Sequence, residues 1–309
     1  MSIVIYDDVI LDECVFIAGA TGEVNRQNDR VVNQGGYASV NAIRDISLRK
    51  YTFGVKPMYR EEWLQVRGAW EITDAGAFGF LIKDPIDQGT TFDATDGLLM
   101  GYMSGVEFGA LGFGNGAPSY GFRQIFKAKS STRSKAVAVT RLNGTPVVKR
   151  GNTTVNVGVG AGNISIGAGP SYVTFVADDS KSVSAVTVGA TTQVTLASAI
   201  TGFVVGGRLW LQDLTGADAA LLNNLSHQIT NIAGAVYTLA TNTAGKTITA
   251  AGTGKKYPQP DEALTWQGDY YIPVQFAEDA LDWDIVKPGA LESRLVSGPT
   301  VTLIEVREA

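Results

Sequence analysis

Residues 44–84 carry the clearest change of hydrophobic period in the chain, from the spacing of a helix to that of a strand. Trp63, Val66 and Trp70 fall at i, i+3 and i+7, and charged residues occupy the opposite side. This spacing places the three apolar side chains on one face of a helix. The pattern predicts an amphipathic helix over about residues 58–72, with these three side chains in the core.

A buried strand is predicted directly after this helix. Phe78, Phe80 and Ile82 alternate with other residues, which is the period of a strand. We expect Phe78 and Phe80 to lie in the core. The C-terminal strands should pair into the same sheet, and Trp63 and Trp70 should pack against it.

Much of the remaining chain also alternates with period two. Asn143-Gly144 separates the apolar runs at 136–142 and 147–148, which predicts a β-hairpin. Residues 181–254 change composition to Ala, Thr, Val and Gly, which suits a small barrel or sandwich. The strands predicted there are Val183–Val188, Gln193–Leu196, Arg208–Leu211 and Ala235–Leu239.

Two further segments matter for the surface. Thr21–Gly36 is too hydrophilic for a core element and is predicted to be a loop or a long hairpin, either mobile or packed on a neighbouring subunit. Near the C-terminus, Leu281, Trp283 and Ile285 alternate with Asp282 and Asp284. That pattern predicts a strand that buries the three apolar side chains and exposes the two carboxylates.

These patterns predict a mainly β protein: a β-sandwich with one packed amphipathic helix, plus a second small β-barrel or sandwich module. The 36 glycines favour strands joined by tight turns. We expect residues 1–125 and 265–309 to form one discontinuous domain. Residues 126–180 would be a β-hairpin extension, and residues 181–256 an inserted module.

Charge and cysteine content exclude several classes of protein. The net charge of −5 argues against a nucleic-acid binder held by phosphate neutralisation. Cys14 is the only cysteine, so the chain has no internal disulfide and no cysteine metal cluster. No apolar run reaches the ~18 residues that span a bilayer, and the acidic N-terminus does not resemble a signal peptide. We expect no membrane partner and synthesis in a cytoplasm.

Catalytic chemistry is also not predicted. His227 is the only histidine and has neither a metal-ligand spacing nor a nucleophile motif around it. Residues 112–117 match a dinucleotide fingerprint only superficially, because Pro118 follows where a helix should open. Asp282 and Asp284 are better explained as a solvated strand face than as a glycosidase pair. We expect no enzyme, no cofactor and no metal.

Five short pieces, in order, resemble one protein family. They are R-K-Y-x-x-G-V at Arg49–Val55, G-x-F-G-F-x-I-K-D at Gly76–Asp84, F-R-Q-I-F-K at Phe122–Lys127, I-P-V-Q-F at Ile272–Phe276 and L-I-E-V-R at Leu303–Arg307. Together with the Trp-rich helix, they resemble the distal tail proteins of tailed phages and gene transfer agents.

The inserted region has its own resemblance. Its pieces are G-G-R-L-W-L at Gly206–Leu211, D-L-T-G-A at Asp213–Ala217, L-L-N-N at Leu221–Asn224, I-T-N-I at Ile229–Ile232 and Y-T-L at Tyr237–Leu239. This order resembles a small β-barrel module that is inserted into many phage structural proteins.

The first resemblance implies a structural virion protein at the tail tip, assembled in the host cytoplasm. Such a subunit forms a homo-oligomeric ring, usually of six, that joins the tail tube protein to the hub or baseplate. DNA passes transiently through the lumen of that ring, and the acidic balance of the chain fits a wall that repels phosphate.

An alternative function is a carbohydrate- or receptor-binding accessory protein of the tail tip. Trp210, Tyr257, Trp266, Tyr270 and Tyr271 are candidates for stacking on sugar rings. The same aromatic residues are equally expected in a core. Glycan-array binding, or quenching of tryptophan fluorescence by sugars, distinguishes the two interpretations.

Overall fold

The computed structural model describes residues 3–17, 19–32, 34–44, 47–54, 56–91, 114–127, 133–297 and 300–307. The fold is mainly β and includes a closed barrel of six strands, which confirms the predicted fold class. Unit 1 comprises Met1–Gln88 and Tyr270–Ala309, and unit 2 comprises Gly89–Asp269. Residues 114–125, which the sequence analysis assigns to the discontinuous domain, therefore belong to unit 2.

The first segment of unit 1 holds both α-helices of the described chain. Its elements are β1 (Ile5–Leu11), α1 (Cys14–Ile17), β2 (Thr21–Asn25), β3 (Asn28–Val32), β4 (Ala38–Ala42), β5 (Leu48–Phe53), β6 (Met58–Tyr59), α2 (Arg60–Ile72) and β7 (Gly79–Ile82).

From β8 to β20, the described chain consists of strands, with one short 3-10 turn at Ala219–Leu221. They are β8 (Gly89–Thr90), β9 (Ser119–Lys127), β10 (Ser134–Val139), β11 (Arg141–Arg150), β12 (Thr153–Val155), β13 (Ile164–Gly167), β14 (Tyr172–Phe175), β15 (Asp179–Thr187), β16 (Thr192–Leu196), β17 (Arg208–Gln212), β18 (Leu225–Ala233), β19 (Val236–Leu239) and β20 (Thr253–Lys256).

The last strands return the chain to unit 1, with a 3-10 turn at Leu291–Ser293. They are β21 (Leu264–Phe276), β22 (Asp284–Lys287), β23 (Leu295–Ser297) and β24 (Val301–Glu305).

The main sheet of unit 1 joins strands from both ends of the chain. Its order is β1-β7-β21-β24-β5-β2, with β1 and β7 parallel and the other pairs antiparallel. Ile272 faces Ile82 on β7, and Leu303 faces Tyr51 on β5. The inward side chains of the C-terminal strands, such as Val274 and Leu303, are buried.

Helix α2 packs two of its three predicted core residues fully. Trp63 and Val66 are buried, whereas Trp70 is half-buried and its indole N–H donates to the Glu278 carbonyl at 3.4 Å. The helix ends at Ile72, and in the turn after it Gly76 takes a φ of +89°. A Cβ at this position would lie 2.4 Å from the Phe276 carbonyl oxygen, so no larger residue fits here.

Strand β7 is buried on both sides, so its residues do not alternate between core and solvent. Phe80 is fully buried and stacks on Phe276, with ring centroids 4.8 Å apart. Phe78 precedes the strand, is half-buried, and stacks on Tyr6 at 4.9 Å.

The hairpin predicted at Asn143-Gly144 is wrong. Strand β10 pairs along its whole length with β9, and Asn143-Gly144 lies inside β11, which pairs with β12 and β21. Gly144 does take the positive φ that the dipeptide favours, at +87°, but within a strand. The local turn preference is therefore outweighed by pairing with distant strands.

The barrel closes in the order β15-β16-β19-β18-β17-β20, and its ends meet where Asp179 pairs with Lys256. Strands β15, β16, β17 and β19 overlap the four predicted ones, whereas β18 and β20 were missed. The core combines aliphatic side chains with Tyr237, which is fully buried. Its hydroxyl donates to the Ile200 carbonyl and accepts from the Ile200 N–H at 2.8 Å.

The predicted burial of residues 281–285 is wrong. Leu281 is half-buried, and Trp283 and Ile285 are exposed. Strand β22 lies at the edge of a three-stranded sheet with β23 and β6, so little of the chain covers it.

In the polar stretch Thr21–Gly36, the first five residues form β2 and pair with β5 in the main sheet, and the chain after β2 forms a hairpin. Strands β3 and β4 pair through five residues each, from Asn28 with Ala42 to Val32 with Ala38. Every described residue from position 21 to position 43 is exposed.

Two tryptophans of unit 1 offer a matched test of this packing. Trp63 is 4% exposed and Trp283 is 54% exposed. We expect Trp63→Ala to lower the free energy of unfolding by about 3–5 kcal/mol, because it opens a cavity in the core. Trp283→Ala should change it by less than about 1 kcal/mol. Urea denaturation of both variants checks this; equal losses would mean that the face of α2 is not a core surface.

Candidate functional site

The most elaborate polar site in unit 1 is built around Arg49 on β5. One guanidinium nitrogen, Nη2, lies 2.8 Å from Asp87 Oδ2, and the other, Nη1, lies 3.4 Å from Asp84 Oδ2. The Arg49 side chain is 14% exposed and that of Asp84 is 9% exposed. Two carboxylates in the turn after β7 therefore compensate a largely buried cation.

Asp84 is held by several donors at once. The Tyr51 hydroxyl donates to Asp84 Oδ2 at 2.6 Å, and the backbone N–H groups of Ile86 and Asp87 donate to Oδ1 at 2.8 and 3.1 Å. Such a carboxylate has few lone pairs left for another ligand. The arrangement fixes the turn after β7 against β5.

The C-terminus joins the same cluster. The backbone N–H of Arg49 donates to Glu305 Oε2 at 2.7 Å. Arg307 contacts Glu305 Oε1 at 2.9 Å and donates to the Ser47 carbonyl at 3.2 Å. We call Arg49, Tyr51, Asp84, Asp87, Tyr270, Glu305 and Arg307 the charge network.

The pKa shifts indicate a structural network. Burial by itself lowers the pKa of Arg49, but its interactions with Tyr51, Tyr270 and Asp87 raise it above the ordinary value. Burial, and then Asp84, raises the pKa of Tyr51. Burial and Asp87 likewise raise the pKa of Tyr270. The guanidinium thus stays charged and both phenols stay neutral, so none of the three is poised for acid–base catalysis near neutral pH.

Four of the five candidate sugar-stacking residues are buried. Trp210, Tyr257, Trp266 and Tyr270 are each 6% exposed or less, and Tyr271 is half-buried. Trp210 and Tyr257 meet edge to face with ring centroids 6.1 Å apart, and the Trp266 indole N–H donates to the Arg123 carbonyl at 2.9 Å. These four rings present no face to solvent and favour the interpretation as core residues.

Residues 114–117 form a packing loop within unit 2. The Asn115 side-chain oxygen accepts from the Tyr120 hydroxyl at 2.8 Å, and the Ser226 hydroxyl donates to the Asn115 carbonyl at 2.6 Å. A Cβ at Gly116 would lie 2.5 Å from the Arg208 Cβ. The glycine serves close contact with the barrel here. Gly112 and Phe113, the start of the fingerprint-like run, lie outside the described residues.

His227 is buried in the barrel. Its Nε2 lies 2.9 Å from the Leu222 carbonyl, which accepts only, so this nitrogen carries the proton. Nδ1 then accepts from the Thr241 hydroxyl at 2.7 Å. Burial holds the pKa of His227 below its ordinary value of 6.5. The imidazole is a neutral structural group.

Sequence reasoning missed an ion cluster in unit 2. Arg150 forms a two-pronged pair with Asp178 at 2.6 and 2.7 Å and contacts Glu262 at 2.8 Å. It borders a polar cavity of about 370 Å³ whose lining includes Thr153 and Asn156. Arg150, Asp178 and Glu262 are far apart in the sequence and follow no periodic charge pattern. The sequence therefore carries no signal that could have revealed this cluster.

Unit 1 has a more apolar cavity of about 410 Å³. Trp70, Phe276 and Val301 contribute apolar walls, and Glu278 and Asp282 contribute carboxylates. Among the described residues, no group of three or more His, Cys, Asp or Glu side chains is arranged to hold a metal ion.

Comparison with models of protein families and with curated protein sequences finds no match to this chain. In the described part of the chain, no helix has the length and apolar character needed to cross a membrane.

Arginine substitutions test the charge network. We expect Arg49→Met to lower the free energy of unfolding by about 3–5 kcal/mol, because it leaves buried carboxylates without their cation. The control is Arg67→Met, which removes an exposed pair with Glu71 at 3.6 Å and should cost less than about 1 kcal/mol. Chemical denaturation measures both, and similar losses would contradict a structural role for the network.

The barrel should lose stability in mild acid. Because the pKa of His227 is lower in the folded than in the unfolded chain, the unfolded state binds more protons as the pH falls through 6.5. Stability is therefore full above that pH and declines below it. His227→Gln should flatten this decline between pH 7.5 and 5.5. Thermal unfolding at several pH values checks it; an unchanged slope would mean that His227 is not the titrating group.

Proposed function

We propose that this chain is a structural virion protein of a tailed phage: a distal tail subunit that forms a ring, most simply of six copies, between the tail tube and the tail-tip hub. The proposal starts from the resemblance of its sequence pieces to that family. The arrangement of those pieces in unit 1 supports it.

One observation carries the proposal. Three separated pieces of the resemblance, around Arg49–Tyr51, Asp84 and Glu305–Arg307, supply most of the charge network. A fourth, Ile272–Phe276, pairs with β7 and β24 next to it. A shared structural role for these residues gives a physical reason why they recur together in a family.

The remaining piece has a different setting. Phe122–Lys127 belongs to β9 in unit 2, within a sheet ordered β10-β9-β14-β13. In the proposed subunit, unit 1 forms the ring and the barrel is an accessory module. The lumen of the ring lets DNA pass, and the net charge of −5 per chain disfavours retention of phosphate.

The composition of the surface supports the assignment of ring formation to unit 1. Of the large apolar side chains that are exposed in the described part of the chain, the greater share lies in unit 1, although unit 2 is the longer unit. Exposed apolar patches mark surfaces that contact other proteins. The alternative of a carbohydrate-binding accessory protein is less favoured, because four of its five candidate rings are buried.

The proposal predicts that the full chain forms closed rings, with six subunits as the expected number. Negative-stain images of concentrated protein, and a reconstruction of the tail tip of particles that contain it, test this. A tail-tip reconstruction that places the chain anywhere other than in a ring next to the tube would refute the proposal.

A further inference from the structure

We propose that the β3–β4 hairpin of one copy docks on an acidic, apolar face around β22 of a second copy. We call residues 26–43 the arm and residues 278–286 the acidic face. The inference rests on the proposed ring, since it names the contact that would hold neighbouring subunits together.

The arm lacks a core of its own. Its large exposed aliphatic residues are Val31, Val32, Val40 and Ile43. A single two-stranded hairpin is at best marginally stable in water, and a partner surface has to supply the burial.

One face of the arm has a defined chemistry. Paired residues share a face, and alternate pairs share the same face. The pairs Asn28–Ala42, Arg30–Val40 and Val32–Ala38 therefore lie together. This face is mainly apolar, and Arg30 on it lies opposite Val40 and two residues from Val32. A complementary surface needs apolar area with a carboxylate in it.

The acidic face has that composition. Trp283, Ile285 and Val286 are exposed, and Asp282 and Asp284 flank the tryptophan. At Asp282 the face adjoins the 410 Å³ cavity described above, whose walls include Trp70 and Phe276. Apolar surface and carboxylates thus alternate over a short segment.

The charges of the two surfaces are opposite. The arm carries Arg26 and Arg30 against Asp29, a balance of one positive charge, and Arg30 is the only charged residue on the face defined above. The acidic face carries Glu278, Asp279, Asp282 and Asp284 and no basic residue. Charge complementarity of this kind selects partners and fixes their register.

The backbone offers a second mode of contact. Strand β22 is the outer strand of the β22-β23-β6 sheet, and β3 and β4 form a sheet of two. Free edges of this kind pair readily with a strand from another chain. Because the arm and the acidic face are different surfaces, the contact is head-to-tail, and repetition of such a contact closes a ring when the rotation allows it.

A charge exchange in the full chain tests the docking. Arg30→Glu and Asp284→Arg should each weaken self-association about tenfold, because each places like charges together. A chain with both changes should recover most of the lost affinity. Lys246→Glu, an exposed charge on the barrel, is the control and should leave association unchanged. Mass photometry over a concentration series gives the constants. A double variant no better than either single one would overturn the proposal.

Cross-linking separates the docking from the ring. Chains with Val32→Cys are mixed with chains carrying Val286→Cys, which lies on the same face of β22 as Asp284, both in a Cys14→Ser background, and oxidised. We expect a disulfide-linked pair between the two chain types, whereas Val159→Cys, a 96% exposed control in unit 2, should give none with Val286→Cys. Absence of the 32–286 link overturns the docking, even where images show rings. The link in a sample that images as open filaments supports the docking and overturns the ring.

Discussion

The buried positive charge of Arg49 is the constraint on which unit 1 depends. A guanidinium removed from water is costly unless carboxylates and hydrogen-bond acceptors meet it in good geometry. Asp84 and Asp87 reach the guanidinium only if β5 lies near the turn after β7, and Glu305 accepts from the Arg49 backbone N–H only if β24 lies beside β5. The network thereby ties the two distant segments of a discontinuous unit to one arrangement.

Unit 2 is held together differently. The barrel closes through paired strands around an apolar core, and two of its buried polar rings, Tyr237 and His227, have hydrogen-bond partners at each polar atom. Such a core depends on local alternation of small and branched residues, which is visible in the sequence. The composition change near position 181 and four of its six strands were predictable for this reason.

The errors of the sequence reasoning share one physical cause: burial is decided by distant neighbours. The apolar and polar residues around Trp283 alternate as in a core strand, but this segment lies at a sheet edge and Trp283 is exposed. Trp210 and Trp266 are equally good candidates for exposed binding residues from sequence, yet both are buried. Asn143-Gly144 has the local preference of a hairpin turn, yet β10 pairs with β9 and not with the residues that follow this dipeptide. The charge network itself is assembled from four separate strands or turns, so no window of sequence displays it.

The charge network of unit 1 and the apolar core of the barrel also leave different surfaces on the two units. A network of short, directional charge contacts fixes the backbone of unit 1 and does not consume its surface. Apolar side chains such as Val32, Val40 and Trp283 are then left outside the core, where they are costly in isolation and useful in a contact. The barrel places most of its branched side chains inside. In the proposed ring, unit 1 is therefore the part that gains most from contact with a neighbouring subunit.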